Sequence, residues 1–116
     1  MVRVRVLFVC SGNAHRSPLA EALLRKAKPD WMVDSAGTDV AIPIADEIRE
    51  FLRKEDAEQY LKSSPEGLGG KRLGDYDVIV AMENKHRDYV LSLCPSVRIG
   101  FLCEKPECRR RNIRNF

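Results

Sequence analysis

A thiol and a guanidinium bracket one short stretch of this chain, Cys10-Ser11-Gly12-Asn13-Ala14-His15-Arg16-Ser17, which is closed by Pro18. A cysteine at the entrance of a loop and an arginine at its exit suit a substrate that is both anionic and open to attack. The sulfur supplies the nucleophile, and the fork-shaped cation holds oxygens. Between them lie small and polar residues whose backbone N–H groups are free to converge on an anion. Gly12 is expected to give the loop its conformational freedom. Asn13 is expected to take a left-handed conformation or to brace the loop with its side chain. Pro18 fits a first helical position, and Ser17 before it is expected to cap that helix.

The flanking elements place this loop. Residues 3–9 are β-branched and apolar, with Arg3 and Arg5 only at the start, the composition of a central parallel strand covered on both faces. Residues 17–27 read as a helix with Leu19, Leu23 and Leu24 inward and Glu21, Arg25 and Lys28 opposite. A loop from strand end to helix start is where an α/β fold gathers N–H groups and the positive end of a helix dipole. Further on, residues 31–35 read as a second strand, and 38–45 as an irregular, largely apolar loop. Residues 44–61 carry a helical pattern broken near Lys54-Glu55, and 63–74 form a glycine-rich loop. Residues 77–82 are a third strand, 83–94 a helix with Tyr89, Val90 and Leu93 inward, and 97–102 a fourth strand. This alternation predicts an α/β layered domain with a parallel sheet and right-handed crossovers. Ligand belongs at the carboxyl ends of the strands, where Cys10 emerges.

Composition narrows the function classes. The 116 residues fit one domain, 1–116, in which 103–116 is an atypical basic tail. The net charge is +3, and the last eight residues alone contribute four arginines and no acid. Charge therefore makes no case for nucleic acid, and the arginine run is expected to be a solvated tail. The longest uncharged apolar run, Val6 to Cys10, is far too short to cross a bilayer, and Met1 leads directly into a strand. A cytoplasmic protein without membrane attachment is expected. There the four cysteines, Cys10, Cys94, Cys103 and Cys108, are not expected to form a disulfide framework. Zinc wants paired short spacings with histidines, and only Cys103-x4-Cys108 comes near, so no metal and no cofactor is expected.

Read in full, Val-Cys-Ser-Gly-Asn-Ala-His-Arg-Ser-Pro over residues 9–18 resembles the phosphate-binding loop of the low-molecular-weight protein tyrosine phosphatases, a fold shared with thioredoxin-coupled arsenate reductases. Asp34-Ser35-Ala36-Gly37-Thr38 and the stretch 75–82, Asp-Tyr-Asp-Val-Ile-Val-Ala-Met, look like further signatures in the right order. The resemblance implies an α/β, three-layer fold with a four-stranded parallel sheet flanked by helices and the phosphate-binding loop after strand one, and a phosphatase that works through a cysteinyl-phosphate. Cys10 attacks as thiolate, Arg16 clamps two phosphoryl oxygens, and Ser17 donates a hydrogen bond to the sulfur. Ser11, Gly12, Asn13, Ala14, His15 and Arg16 offer their N–H groups to substrate, while Asn13 holds the loop towards Ser35. The implied partners are a phosphorylated protein or small phosphomonoester, with inorganic phosphate or another oxyanion as product or inhibitor.

Three departures qualify the resemblance. The family's general acid is an aspartate in an Asp-Pro pair well after strand four, but no aspartate follows Asp88 here, and Glu104 or Glu107 is the candidate substitute. The family's last helix has no evident counterpart, which predicts an exposed apolar strip on the sheet. His15 stands where many members carry a second cysteine, and a solvent-facing side chain is expected there. Cys94, expected to pack in the core near Leu93, keeps the arsenate-reductase alternative open together with Cys103 and Cys108. A phosphate- or phosphoprotein-binding module with little turnover is the third reading. Val40, Ala41, Ile42 and Pro43 are candidates for the wall of a substrate pocket.

Overall fold

Val6 to Cys10 are all buried, so the strand they form needs neighbours on both edges and cover on both faces. The computed structural model, which describes residues 4–101, supplies both. Strand β1 (Arg5–Cys10) leads into helix α1 (Arg16–Ala27), strand β2 (Met32–Gly37) and helix α2 (Asp46–Lys54). Three 3₁₀ turns (Glu58–Tyr60, Leu68–Gly70 and Leu73–Asp75) precede strand β3 (Val78–Ala81), helix α3 (Asn84–Leu93) and strand β4 (Ile99–Phe101). The strands pair in the order β2-β1-β3-β4, all parallel. In register, Cys10 lies opposite Gly37 and Val9 opposite Ala81, so the turns that follow β1, β2 and β3 open on one side.

Alternation along β1 divides the core. Leu7 and Val9 pack with Ala36, Leu73, Ile79 and Val90 of α3. Val6, Phe8 and Cys10 pack with Val33, Val80 and Met82, against Ala20 and Leu24 of α1. Helix α2 adds a cluster of its own, setting Ile48 and Leu52 against Ala22 of α1 with Ile44 and Ala57. The break expected near Lys54-Glu55 is where α2 ends. The α/β architecture and the four parallel strands agree with the sequence reading.

Four local expectations need correction. In α1 the buried face carries Ser17, Pro18, Glu21 and Ala22, while Leu23 is exposed. The hydrophobic count missed this because Glu21 has polar partners inside. Helix α1 begins at Arg16 with His15 as its capping position, so Ser17 lies within the first turn and caps nothing. In α3, Val90 is inward as expected, but Tyr89 and Leu93 are exposed and His86 takes the buried place. Finally, Val6, Phe8, Val33 and Val80 are buried, and Met32 at the start of the edge strand is the one exposed large apolar residue of β1–β3. The expected open apolar strip is therefore not found among the described residues. Leu102 and the whole 103–116 segment, with Glu104, Glu107, Cys103 and Cys108, lie outside them.

Candidate active site

Cys10 is the last residue of β1, and the chain then turns through residues 11–15 to enter α1. That turn depends on Asn13, whose φ of 51° is left-handed. Asparagine tolerates this region better than most side chains. Gly12 has no positive φ, and a Cβ there would meet only Ala14 at 3.8 Å. The glycine that the loop requires is Gly37 on β2, where a Cβ would stand 2.6 Å from the Ser11 carbonyl oxygen and 2.9 Å from the Asn13 nitrogen. The conformational freedom expected of Gly12 is therefore a steric requirement on the neighbouring strand.

The sulfur of Cys10 is buried and ringed by donors. Ser17 Oγ stands 2.9 Å from Sγ, and the Asn13 N–H donates to Sγ at 3.3 Å. Ser17 and Asn13 are themselves fully buried. Asn13 Nδ2 donates to Ser17 Oγ at 2.8 Å and to Ser35 Oγ at 2.9 Å, so the expected brace towards Ser35 is present. Its Oδ1 accepts from Lys62 Nζ at 3.0 Å and from the Glu66 N–H at 2.8 Å. All four hydrogen-bonding positions of this amide are used.

Arg16 reaches across the loop to Glu83, with Nη1 2.8 Å from Oε2 and both side chains about half exposed. The hydrogen bond from Arg16 holds the Glu83 carboxyl below its usual range. Glu83 also caps α3, in a reciprocal box with His86. Since the Glu83 N–H donates to His86 Nδ1 at 3.1 Å, Nδ1 carries no proton. Nε2 therefore carries it and donates to Ser11 Oγ, 2.9 Å away. Burial and the nearby Arg16 lower the pKa of His86, in keeping with this neutral form. His15 faces solvent, as expected, and its Nε2 lies 3.1 Å from Glu47 of α2.

Behind the loop sits a charged cluster. Glu21 accepts the Ser35 hydroxyl at 2.5 Å, and burial raises its pKa against the pull of Ser35 and Lys62. Burial also pushes Asp34 up, but the bonds from Lys71 and the Ser35 N–H outweigh it and leave its pKa lowered. Tyr76 donates to Asp34 at 3.1 Å, and burial with that neighbouring carboxylate pushes its phenol up to about 12.

The structure thus gathers Cys10, Ser11, Asn13, Arg16 and Ser17 at one mouth, with Ala14 buried beneath. The 38–45 segment is tied to the loop at both ends, Asp39 N–H to Ser11 O at 2.8 Å and Ala45 N–H to Ala14 O at 3.0 Å. Val40 and Ile42 stand exposed along it. Cys94 packs in the Leu7–Val90 cluster, apart from the cluster that holds Cys10. Among the described residues no group of three or more histidine, cysteine, aspartate or glutamate side chains is placed to hold a metal. Likewise no helix among them is long and apolar enough to cross a membrane. Sequence reasoning missed Lys62, Glu83 and His86. Lys62 and Glu83 follow no periodic pattern, and the one available signal for His86 was its spacing three residues after a capping acid.

A parallel α/β sheet with a buried cysteine at the carboxyl end of β1, the side on which such sheets bind their ligands, defines the class of domain. Comparison gives the family. The family model described as low molecular weight phosphotyrosine protein phosphatase matches residues 5–104, and the chain belongs to that family. It is 36% identical over 94 residues to the probable low molecular weight protein-tyrosine-phosphatase AmsI of Erwinia amylovora, a match spanning 80% of this chain and 65% of the relative. It is also 36% identical over 98 residues to Etp of Escherichia coli, spanning 80% of this chain and 64% of Etp. The chain therefore spans slightly less than two thirds of these relatives. The crystal structure of AmsI superposes with a TM-score of 0.76 over 86% of this chain and 68% of AmsI, at 29% identity. Vibrio vulnificus Wzb in complex with benzylphosphonate superposes at 0.71 over 81% of this chain and 68% of Wzb, at 26% identity.

Proposed function

We propose that this protein is a cysteine-dependent phosphatase, a single domain that hydrolyses phosphate monoesters of proteins, with phosphotyrosine as the preferred group. The observation that carries this reading is the Cys10 sulfur, held by Ser17 at 2.9 Å and the Asn13 N–H at 3.3 Å at the start of α1. Hydrogen bonds aimed at a sulfur stabilise the charge it carries as attacking and departing group. In the first step the sulfur bonds to phosphorus as the bond to the leaving oxygen breaks. In the second, water attacks phosphorus, the S–P bond breaks, and inorganic phosphate leaves with the thiolate restored. The Ser17 hydroxyl steadies the departing sulfur, and N–H groups of residues 11–16 receive phosphoryl oxygens. Arg16 exchanges Glu83 for two of those oxygens.

The leaving oxygen also needs a proton unless it departs as a stable anion. Glu83 is poorly suited to give one, because Arg16 keeps it ionised. Glu104 and Glu107 lie outside the described residues. The described residues thus suffice for activated aryl phosphates and leave alkyl phosphates slow. Phosphotyrosine as substrate draws on the relatives' names and on the benzylphosphonate held by Vibrio vulnificus Wzb. The exposed Val40 and Ile42 offer an apolar wall beside the loop for an aromatic ring. A reducing cytoplasm suits a nucleophilic thiol. The test is hydrolysis of para-nitrophenyl phosphate by wild type and Cys10→Ser. Turnover lost in the variant is expected, and equal turnover in both overturns the reading. Phosphate binding without turnover in wild type would leave a binding module.

A further inference from the structure

We propose that the open edge of β2 is a docking groove for an extended, acidic segment of the phosphoprotein substrate, which pairs with the Val33 backbone as an added strand. The groove stands on its own geometry, while the substrate as source of the segment rests on the phosphatase reading.

Strand β2 is an edge of the sheet, and its outer side is covered along only part of its length. Met32 and Thr38 donate their N–H groups to Val4 and Cys10, so even-numbered positions face β1. Odd-numbered positions turn outward. Gly37 N–H donates to Glu66 O at 2.9 Å, Gly37 bridges to Gly67, and Ser35 O accepts from Lys62 at 2.7 Å. Val33 shares their register, yet its N–H and C=O have no partner among the described residues. Its side chain is anchored in the core, which fixes the direction of those two groups. Unpaired edge groups of this kind are a template for another strand.

Val33 lines a groove of about 680 Å³. Trp31 packs with the cluster under α1 and Tyr76 with the cluster under α3, so the groove has a wall on each face of the sheet. Four of its lining residues are basic and two are acidic. Of these, Arg25 is taken by Glu21, and Asp34 is taken by Lys71 and Tyr76. The exposed side chains of Arg5 and Arg72 form no hydrogen bond or ion pair with a described residue, which sets two guanidinium groups against Asp75. Uncommitted cations beside uncommitted backbone groups suit carboxylates carried on a strand.

Charge also decides among occupants. A second copy of β2 would bring the same guanidinium groups against these, and residues 109–116 of the chain hold four arginines and no acid. Both meet like charge, whereas an acidic segment meets opposite charge. Val33 pairs with Val6, four residues before Cys10, which puts the groove about 13 Å from the sulfur at about 3.3 Å per residue. An acidic segment about six residues from the phosphotyrosine spans that distance.

The test uses the whole chain and three hexapeptides without phosphate. One alternates glutamate and valine, one has lysine in place of glutamate, and one is the acidic peptide N-methylated on its backbone. Binding is read from Trp31, the only tryptophan of the chain and part of the groove, and from hydrogen exchange at the Val33 amide. The expected result is a saturable change in Trp31 emission with the acidic peptide alone, and exchange at Val33 slowed about tenfold. Arg72→Glu should weaken binding about tenfold and leave kcat/KM on para-nitrophenyl phosphate unchanged. No saturable change, equal binding of the lysine or N-methylated peptide, or an unaltered Val33 amide overturns the proposal. Protection of Val33 that rises with protein concentration alone also overturns it, because a second copy is then the occupant. For the substrate, a phosphotyrosine peptide carrying the acidic segment should show a several-fold lower KM than one with a neutral segment, in wild type but not in Arg72→Glu. Equal KM values overturn that assignment. Peptide binding needs no turnover, so its failure and a failure of the Cys10→Ser assay are separate results.

Discussion

Asn13→Asp isolates the donor that the loop needs. The new carboxylate keeps the left-handed backbone at φ 51°, which aspartate also tolerates. It keeps acceptors for Lys62 at 3.0 Å and the Glu66 N–H at 2.8 Å. What changes is the atom 2.8 Å from Ser17 Oγ, which passes from donor to acceptor. The Ser17 proton is then drawn to the carboxylate and away from sulfur. Losing one hydrogen bond to a charged group costs about 1.5–3 kcal/mol, or roughly 10–150-fold. The added anion near the thiolate brings the expected loss of kcat/KM on para-nitrophenyl phosphate to about 10²–10³-fold. Stability in urea is expected to stay within about 2 kcal/mol of wild type, because the carboxylate pairs with Lys62. Asn13→Ala is the contrast. It abandons all four bonds and strains the left-handed angle, at about 3–5 kcal/mol of stability. A folded Asn13→Asp with kcat/KM within about threefold of wild type would refute the claim that donor direction, rather than loop shape, governs the sulfur.

Other expectations follow from single contacts. Gly37→Ala places a methyl 2.6 Å from the Ser11 carbonyl and should cost about 2–3 kcal/mol in a thermal melt. Activity should fall along with it as the loop shifts. Glu83→Gln keeps a capping acceptor but frees Arg16 from its 2.8 Å partner, so inorganic phosphate should inhibit at a few-fold lower concentration. An unchanged inhibition constant would show that the ion pair does not compete with substrate. His86 has a pKa lowered from 6.5 in the fold, so its contribution to stability is present above 6.5 and lost as pH falls through the folded value. Urea unfolding across that range should show this acid slope in wild type and a flatter one in His86→Gln.

Much of the fold was legible because periodicity reports burial directly. The run Val6–Cys10 could only be a covered strand, and Asn84–Leu93 formed a helix at the place its pattern required. The errors in helix facing share one cause. Glu21 was placed outward and Leu23 inward, and Tyr89 and Leu93 were set in the core where His86 belongs. Each of the buried polar residues has partners far away in sequence, Ser35 and Lys62 for Glu21, and Ser11 for His86. A hydrophobic count prices such residues as if they were unpaired.

The chemistry-bearing loop depends on neighbours in sequence, and for that reason the sequence alone determined it. Cys10, Asn13, Arg16 and Ser17 lie within eight residues, where a strand passes through one short turn into a helix, so their spacing already placed sulfur, brace and cation together. Only the tertiary structure decided what steadies that loop. Gly37 must be bare because β2 pairs in register with β1 and passes against the loop backbone. Lys62 meets Asn13 across 49 residues, and Glu83 meets Arg16 across the β1–β3 pairing. These contacts are set by sheet register and by the need to satisfy buried polar atoms, neither of which leaves a local mark in the chain.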